Sequence, residues 1–171
     1  GSGAGKSTLL SAMTGFTPAT EGQVFYNGIN YYEHFDLFRA SLGYVPQDDI
    51  IRLKLTVEQV LNYAARLRLP TDTTPEERKA RVEHAMQQLQ LTERRHTQVS
   101  QLSGGQRKRV SIGVELLNEP GLFFLDEPTS GLDPGLKETM LYLFRDLSRQ
   151  ESTVVVITHA TNNVSVCDKV I

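Results

Sequence analysis

Three groups of residues have the types and spacing that chemistry on phosphate groups requires. The first is Gly3-Ala4-Gly5-Lys6-Ser7-Thr8, the end of a glycine-rich run that opens the chain. It fits the last part of the pattern G-x-x-x-x-G-K-[S/T], whose first glycine would fall one residue before Gly1. In such a loop, glycines let consecutive backbone N–H groups converge on phosphate oxygens, and the following helix points its positive end at them. Lys6 adds a full charge and Ser7 offers a hydroxyl to Mg²⁺. The second group is Asp126-Glu127, directly after the apolar run Leu122 to Leu125. Carboxylates at the C-terminal end of a buried parallel strand lie where open α/β sheets bind ligands. There Asp126 would hold Mg²⁺ through water and Glu127 would orient or deprotonate an attacking water. The third group is Leu102-Ser103-Gly104-Gly105-Gln106. A serine and two glycines opening a helix make a second anion-binding site, for which a chain with one phosphate loop has little use of its own.

These residues need elements to hold them. After the loop, Leu9, Leu10 and Met13 fit one face of a short helix that closes at Gly15. Gln23 to Tyr26 reads as a strand ending in the turn Asn27-Gly28, His34 to Ala40 as a short helix, and Leu42 to Val45 as a buried strand stopped by Pro46. Two capping boxes follow. Thr56 with Gln59 starts a helix bearing Val57, Val60, Leu61, Ala64 and Leu67, and Pro70 ends it. Thr74 with Glu77, and Pro75 between them, starts another bearing Val82, Ala85, Met86 and Leu89. A helix over 104–117, a strand over 122–125, a helix from Pro134 to about Arg149 and a strand over 153–157 complete the reading. Strands alternating with helices predict an α/β fold with a mainly parallel sheet covered on both faces. The predicted division is an α/β core of residues 1–47 and 119–171, interrupted by a helical insert over 48–118.

Composition narrows the partners. With 18 Lys+Arg against 20 Asp+Glu the formal charge is −2, so no global basic field draws the chain to nucleic acid. Arg107-Lys108-Arg109 lacks aromatic interleaving and is expected to form a solvated face. No apolar run approaches the ~18 residues of a membrane span. The single cysteine, Cys167, cannot form an internal disulfide, and no Cys/His spacing matches a zinc site, which fits a reducing compartment.

Leu102 to Gln106 resembles the signature sequence of the ATP-binding cassette (ABC) ATPases, a P-loop NTPase family, and the other family motifs follow in order. Gln47, after Gly43-Tyr44-Val45-Pro46, resembles the glutamine that contacts Mg²⁺ and the attacking water. Ser130-Gly131-Leu132-Asp133 resembles the loop that meets its counterpart across a cassette dimer. His159, just past a strand, resembles the histidine that contacts the γ-phosphate. Gln47-Asp48-Asp49, Leu55-Thr56-Val57-Glu58, residues 65–70 and residues 107–116 resemble the G subfamily of ABC transporters, half-transporters with the ATPase ahead of the membrane helices. Gln106 stands where G-type signatures carry Glu, and Thr158-His159-Ala160-Thr161 replaces their His-Gln-Pro. Together with Phe123-Phe124-Leu125-Asp126 these features resemble bacterial G-like proteins, some of which carry a forkhead-associated domain upstream.

The resemblance implies catalytic roles for Glu127, His159 and Gln47, and Mg²⁺ contacts for Ser7, Gln47 and Asp126. It implies that ATP is held by Gly3, Ala4, Gly5, Lys6, Ser7 and Thr8, and, across a dimer, by Ser103, Gly104, Gly105 and Gln106 of a second cassette. Asp133 would be a dimer contact. A transmembrane domain downstream, at the cytoplasmic face of the plasma membrane, is the further partner implied, and no nucleic acid is expected. A soluble ABC ATPase acting on nucleic acid or a ribosome is the competing reading. The family pattern also leads one to expect the strand presenting the phosphate loop, an adenine-stacking aromatic residue and the first antiparallel strands upstream of Gly1, and an isolated chain that is unstable and poorly active.

Overall fold

The computed structural model describes residues 5–48, 50–150, 152–159 and 165–170. Its elements run α1 (Lys6–Met13), β1 (Phe25–Tyr26), β2 (Ile29–Asn30), α2 (Phe35–Arg39), β3 (Leu42–Val45), α3 (Val57–Arg68), α4 (Pro75–Gln88), α5 (Gly104–Leu116), β4 (Leu122–Asp126), α6 (Pro134–Ser148) and β5 (Thr153–Ile157).

All five residues of β4 are buried, and the strand pairs in parallel with β3 on one side and β5 on the other. Side chains alternate across a sheet, so β4 feeds two separate apolar clusters. Phe123 and Leu125 join Val45, Val154 and Val156 in a cluster that continues into α3, α4, α5 and α6. Leu122 and Phe124 join Leu42, Tyr44, Val155 and Ile157 beneath Leu10 and Met13 of α1. The sheet is therefore covered on both faces, as alternating strands and helices require.

Local chemistry sets most boundaries where the sequence puts them. The Thr56 and Thr74 side chains each accept from the backbone N–H three residues on, and Gln59 and Glu77 return the bond to the cap. Before Pro70, Leu69 is extended (φ −73°, ψ 152°) and α3 stops. The β1–β2 hairpin turns through Asn27 (φ 52°) and Gly28 (φ 78°), the paired left-handed residues of a tight two-residue turn, although β1 is shorter than the predicted Gln23 to Tyr26. Two apolar residues depart from their predicted faces. Leu9 is 56% and Leu67 is 86% exposed, while Leu10 and Ala65 take the buried positions beside them.

Three phenols hold the end of α1. The hydroxyls of Tyr32, Tyr26 and Tyr31 donate to the carbonyls of Ala12, Met13 and Thr14 at 2.9, 2.7 and 2.7 Å, satisfying acceptors that a helix C-terminus leaves open. Burial, with the neighbouring Tyr32 second, pushes the Tyr31 hydroxyl up to about 12, and Tyr26 is pushed up further by burial, then by Tyr31 and Tyr32. A side chain at Gly15 (φ 72°) would collide with Tyr31, its Cβ lying 2.8 Å from Cε1.

The basic run corrects the sequence reading. Lys108 and Arg109 are 4% and 7% exposed, so residues 107–109 do not form a solvated face. The reason is that α5 is buried on nearly every side, and its cations reach backbone carbonyls instead of water. Arg109 Nη1 donates to Leu89 and Gln90 carbonyls at 2.7 and 3.2 Å, closing α4 where Gln90 turns left-handed (φ 53°). No helix of the described residues is long and apolar enough to cross a membrane.

Candidate functional site

Because β3, β4 and β5 are parallel, their C-terminal ends lie along one edge of the sheet, and this edge gathers four of the predicted residues. Gln47 follows β3, Asp126 and Glu127 end β4, and His159 follows β5. Glu127 and His159 are in direct contact. The Glu127 carboxylate accepts from the His159 backbone N–H at 3.4 Å through Oε2, and its Oε1 lies 3.3 Å from His159 Nε2. That second approach is not aligned as a hydrogen bond, so Oε1 is a buried carboxylate oxygen with no donor among the described residues. Such atoms are uncommon and mark places where a donor belongs. Glu127 also holds a left-handed backbone (φ 49°), which costs a non-glycine residue about 1–2 kcal/mol. Its N–H donates to the Ile157 carbonyl at 2.9 Å, and its carbonyl accepts from Ser130 at 3.1 Å, so the strained turn is fixed on both sides.

Asp126 is 5% exposed beside Tyr44, whose hydroxyl is pushed up first by burial and then by the Asp126 charge. The Gln47 side chain is exposed, and the backbone carbonyls of Pro46 and Gln47 accept from Lys108 Nζ.

Two helix N-termini carry the remaining residues. At α1 the cap is Gly5, left-handed at φ 79°, with no side-chain cap and open space where a Cβ would stand. Ser7 and Thr8 are exposed and Lys6 is half-buried, while Gly3 and Ala4 lie outside the described residues. Leu10 fixes α1 against Leu122 and Phe124. At α5, the Ser103 hydroxyl accepts from Gln106 N–H at 3.3 Å and Gln106 Oε1 accepts from Ser103 N–H at 3.0 Å. This box occupies two of the helix's open donors and leaves those of Gly104 and Gly105.

The two glycines differ. A Cβ on Gly104 would meet nothing within 4 Å, whereas one on Gly105 would stand 2.5 Å from Leu132 Cδ2. Gly105 is thus needed for packing within the chain, and it brings α5 against the loop that leads to Asp133. Asp133 caps α6 by accepting from Leu136 N–H at 3.0 Å.

An uncapped helix N-terminus with a lysine, and carboxylates at a strand edge, suit a polyphosphate carrying a hard cation. Among the described residues no three His, Cys, Asp or Glu cluster as a resident metal site would need, and Mg²⁺ held by one or two carboxylates and substrate phosphates needs no such cluster. Reading the sequence missed Lys108, Tyr44 and Leu132. No local signal marked them, because the partners of Lys108 and the contact of Leu132 with Gly105 lie far along the chain.

Comparison with known proteins agrees with this geometry. The ABC transporter family model matches residues 1–130. The chain is 45% identical over 170 residues to the ABC transporter ATP-binding/permease protein Rv1747 of Mycobacterium tuberculosis, covering 99% of this chain and 20% of that protein. It is 40% identical over 165 residues to ABC transporter G family member 22 of Arabidopsis thaliana, covering 92% and 22%. It is 37% identical over 164 residues to the broad substrate specificity transporter ABCG2 of Mus musculus, covering 92% and 24%. The chain therefore spans about a fifth of the length of these curated relatives. Among solved structures, the dimeric ABC transporter cassette MJ0796, described as bacterial, superposes with a TM-score of 0.84 at 29% identity, over 97% of this chain and 75% of that one. A post-hydrolysis dimer of the same cassette bound to ADP and Pi gives 0.82 at 30% identity, over 95% and 73%. With the motifs of its sequence, the edge of its parallel sheet and its relatives in accord, this chain belongs to the ABC transporter family, to its ATP-binding cassette.

Proposed function

We propose that this cassette binds ATP with Mg²⁺, hydrolyses it at the interface of a cassette dimer, and couples hydrolysis to transport by membrane-spanning segments of the same protein. The observation that carries the proposal is the Glu127 carboxylate, buried at the end of β4, with Oε1 lacking a donor among the described residues and His159 beside it. Gly3, Ala4, Gly5, Lys6, Ser7 and Thr8 bind the phosphates of the chain's own nucleotide. Ser7, Gln47 and Asp126 are the residues that would hold Mg²⁺, which supplies charge neutralisation on the phosphates. Glu127 Oε1 orients the attacking water and receives its proton, and His159 bears on the γ-phosphate.

Ser103, Gly104, Gly105 and Gln106 face the nucleotide of a second cassette, with Asp133 at the contact between the two. The Ser103 hydroxyl accepts within its own helix, so its proton is available to a phosphate oxygen, as are the N–H groups of Gly104 and Gly105. Closure of the dimer then depends on the γ-phosphate, and its loss releases the two halves. Residues 48–118 form the unit that transmits this change from the core of 1–47 and 119–171 to the membrane. Dimeric MJ0796, the state bound to ADP and Pi, and the transporter names of the relatives support this reading. The cassette accordingly works at the cytoplasmic face of a membrane.

The test is Glu127→Gln in the intact protein. Glutamine keeps the shape and removes the base, so ATP binding should persist while turnover falls by about a thousandfold or more. Undiminished phosphate release would remove Glu127 from this role.

A further inference from the structure

The structure assigns Lys108 a positioning role: it fastens the backbone of Gln47 to the helix that presents Ser103, Gly104 and Gly105, so that the two respond to nucleotide as one piece. This rests on the roles proposed above for Gln47 and Ser103.

Lys108 is 4% exposed, and its Nζ donates to the Pro46 carbonyl at 3.0 Å and to the Gln47 carbonyl. The β3–β4 ladder ends at the pair Val45 and Leu125, so these two carbonyls lie just beyond the sheet and take a donor from α5. Three donors on one small cation suit two consecutive carbonyls, a geometry for which a planar guanidinium is less apt. A second tie lies along the same helix. Glu115 Oε2 accepts from the Tyr44 N–H at 3.4 Å and pairs with Arg68 Nη1 at 2.6 Å. Lys108 and Glu115 are seven residues apart, about two helical turns, so they share a face. They fix α5 lengthwise along β3. Ser103 stands five residues before Lys108, about 7.5 Å along the axis.

A shift of Gln47 toward or away from its own nucleotide is thus delivered to the end of α5 that meets the partner's nucleotide. Arg109 does not share this role, because its donors go to the Leu89 and Gln90 carbonyls at the end of α4.

The experiment compares the intact protein with Lys108→Met and Lys108→Arg, reading kcat, KM for ATP, and hydrogen–deuterium exchange with and without Mg²⁺ and the non-hydrolysable analogue AMP-PNP. Lys108→Met should lower kcat between about tenfold and a hundredfold, the range for misplaced catalytic geometry, while KM moves less than about threefold. Lys108→Arg should recover a substantial part of kcat. Without nucleotide, peptides covering 44–48 should exchange faster in Lys108→Met. A folded Lys108→Met variant with kcat within about twofold of the parent overturns the assignment. Should that variant fail to fold, exchange in the parent decides. Peptides over 44–48 and 103–108 should gain protection in parallel as AMP-PNP is added, and a response of one segment without the other overturns the proposal. A parent without ATP turnover would instead refute the proposed function.

Discussion

The N-termini of α1 and α5 begin alike in sequence, with glycines and a hydroxyl residue, and end up built on opposite plans. α1 is fixed at its far end by three tyrosine hydroxyls, and its near end has a glycine cap that offers no side chain to its own donors. α5 is fixed along its length by Lys108, Arg109 and Glu115, and its near end satisfies part of itself through the Ser103–Gln106 box. An end with no side chain folded over it suits a ligand bound by one chain alone. An end that is half satisfied and rigidly held suits a ligand that arrives already bound elsewhere, because little ordering remains to be done on contact.

The widest separation between the two ends should come from charge and hydroxyl removal. Lys6→Ala is expected to weaken ATP binding to the isolated cassette about a hundredfold, roughly 3 kcal/mol, as measured by nucleotide titration at a protein concentration too low for dimers. Ser103→Ala should leave that affinity within about twofold and lower steady-state turnover by about tenfold or more. An equal loss of affinity in both variants would break the distinction.

The paired glycines sharpen it. Gly105→Ala must displace Leu132, which lies 2.5 Å from the added carbon, and should cost about 1–3 kcal/mol in chemical denaturation. Gly104→Ala meets open space, so the melting temperature should hold or rise, with a stabilisation of up to about 1 kcal/mol. Turnover should nevertheless fall, since the methyl group occupies room a nucleotide would use. Equal destabilisation by both substitutions would mean that Gly104 is also a packing residue.

The smallest effect is a pH dependence peculiar to α1. Tyr31 in the folded chain holds its proton up to about 12, above its ordinary value of 10.0. Between those values the unfolded chain releases a proton that the folded chain keeps, so stability is complete below pH 10 and declines as pH rises through 12. Urea unfolding at about pH 9 and about pH 11 should show this decline, and Tyr31→Phe should reduce it while Tyr26 sustains the remainder. Among the described residues no tyrosine hydroxyl is bonded to α5, so exchange protection in α5 should be the less sensitive to the same change.

The sequence disclosed what is decided within a few residues. The boxes at Thr56 and Thr74 each close within a four-residue span and form where the spacing predicts, and the box at Ser103, which the sequence reading did not name, closes within the same span. The unbroken apolar run of β4 was legible for the same reason, and it feeds both apolar clusters. Partners far along the chain were not legible. Lys108 finds its carbonyls some 60 positions away, and Gly105 owes its size to Leu132. A basic triplet looks the same whether its partners are water or distant backbone. Leu9 and Leu67 fit a helical period yet face outward, because period alone does not tell which of two neighbouring rows the sheet will cover.

The left-handed turn at Glu127 has an evolutionary consequence. Glycine or asparagine would sit there with less strain, so selection for robustness alone would discard the glutamate. The strain is a cost that the carboxylate role proposed for Glu127 offsets. In a cassette relieved of the hydrolysis proposed here, glycine at position 127 would release backbone strain of up to about 1–2 kcal/mol, less whatever the bond from the His159 N–H contributes.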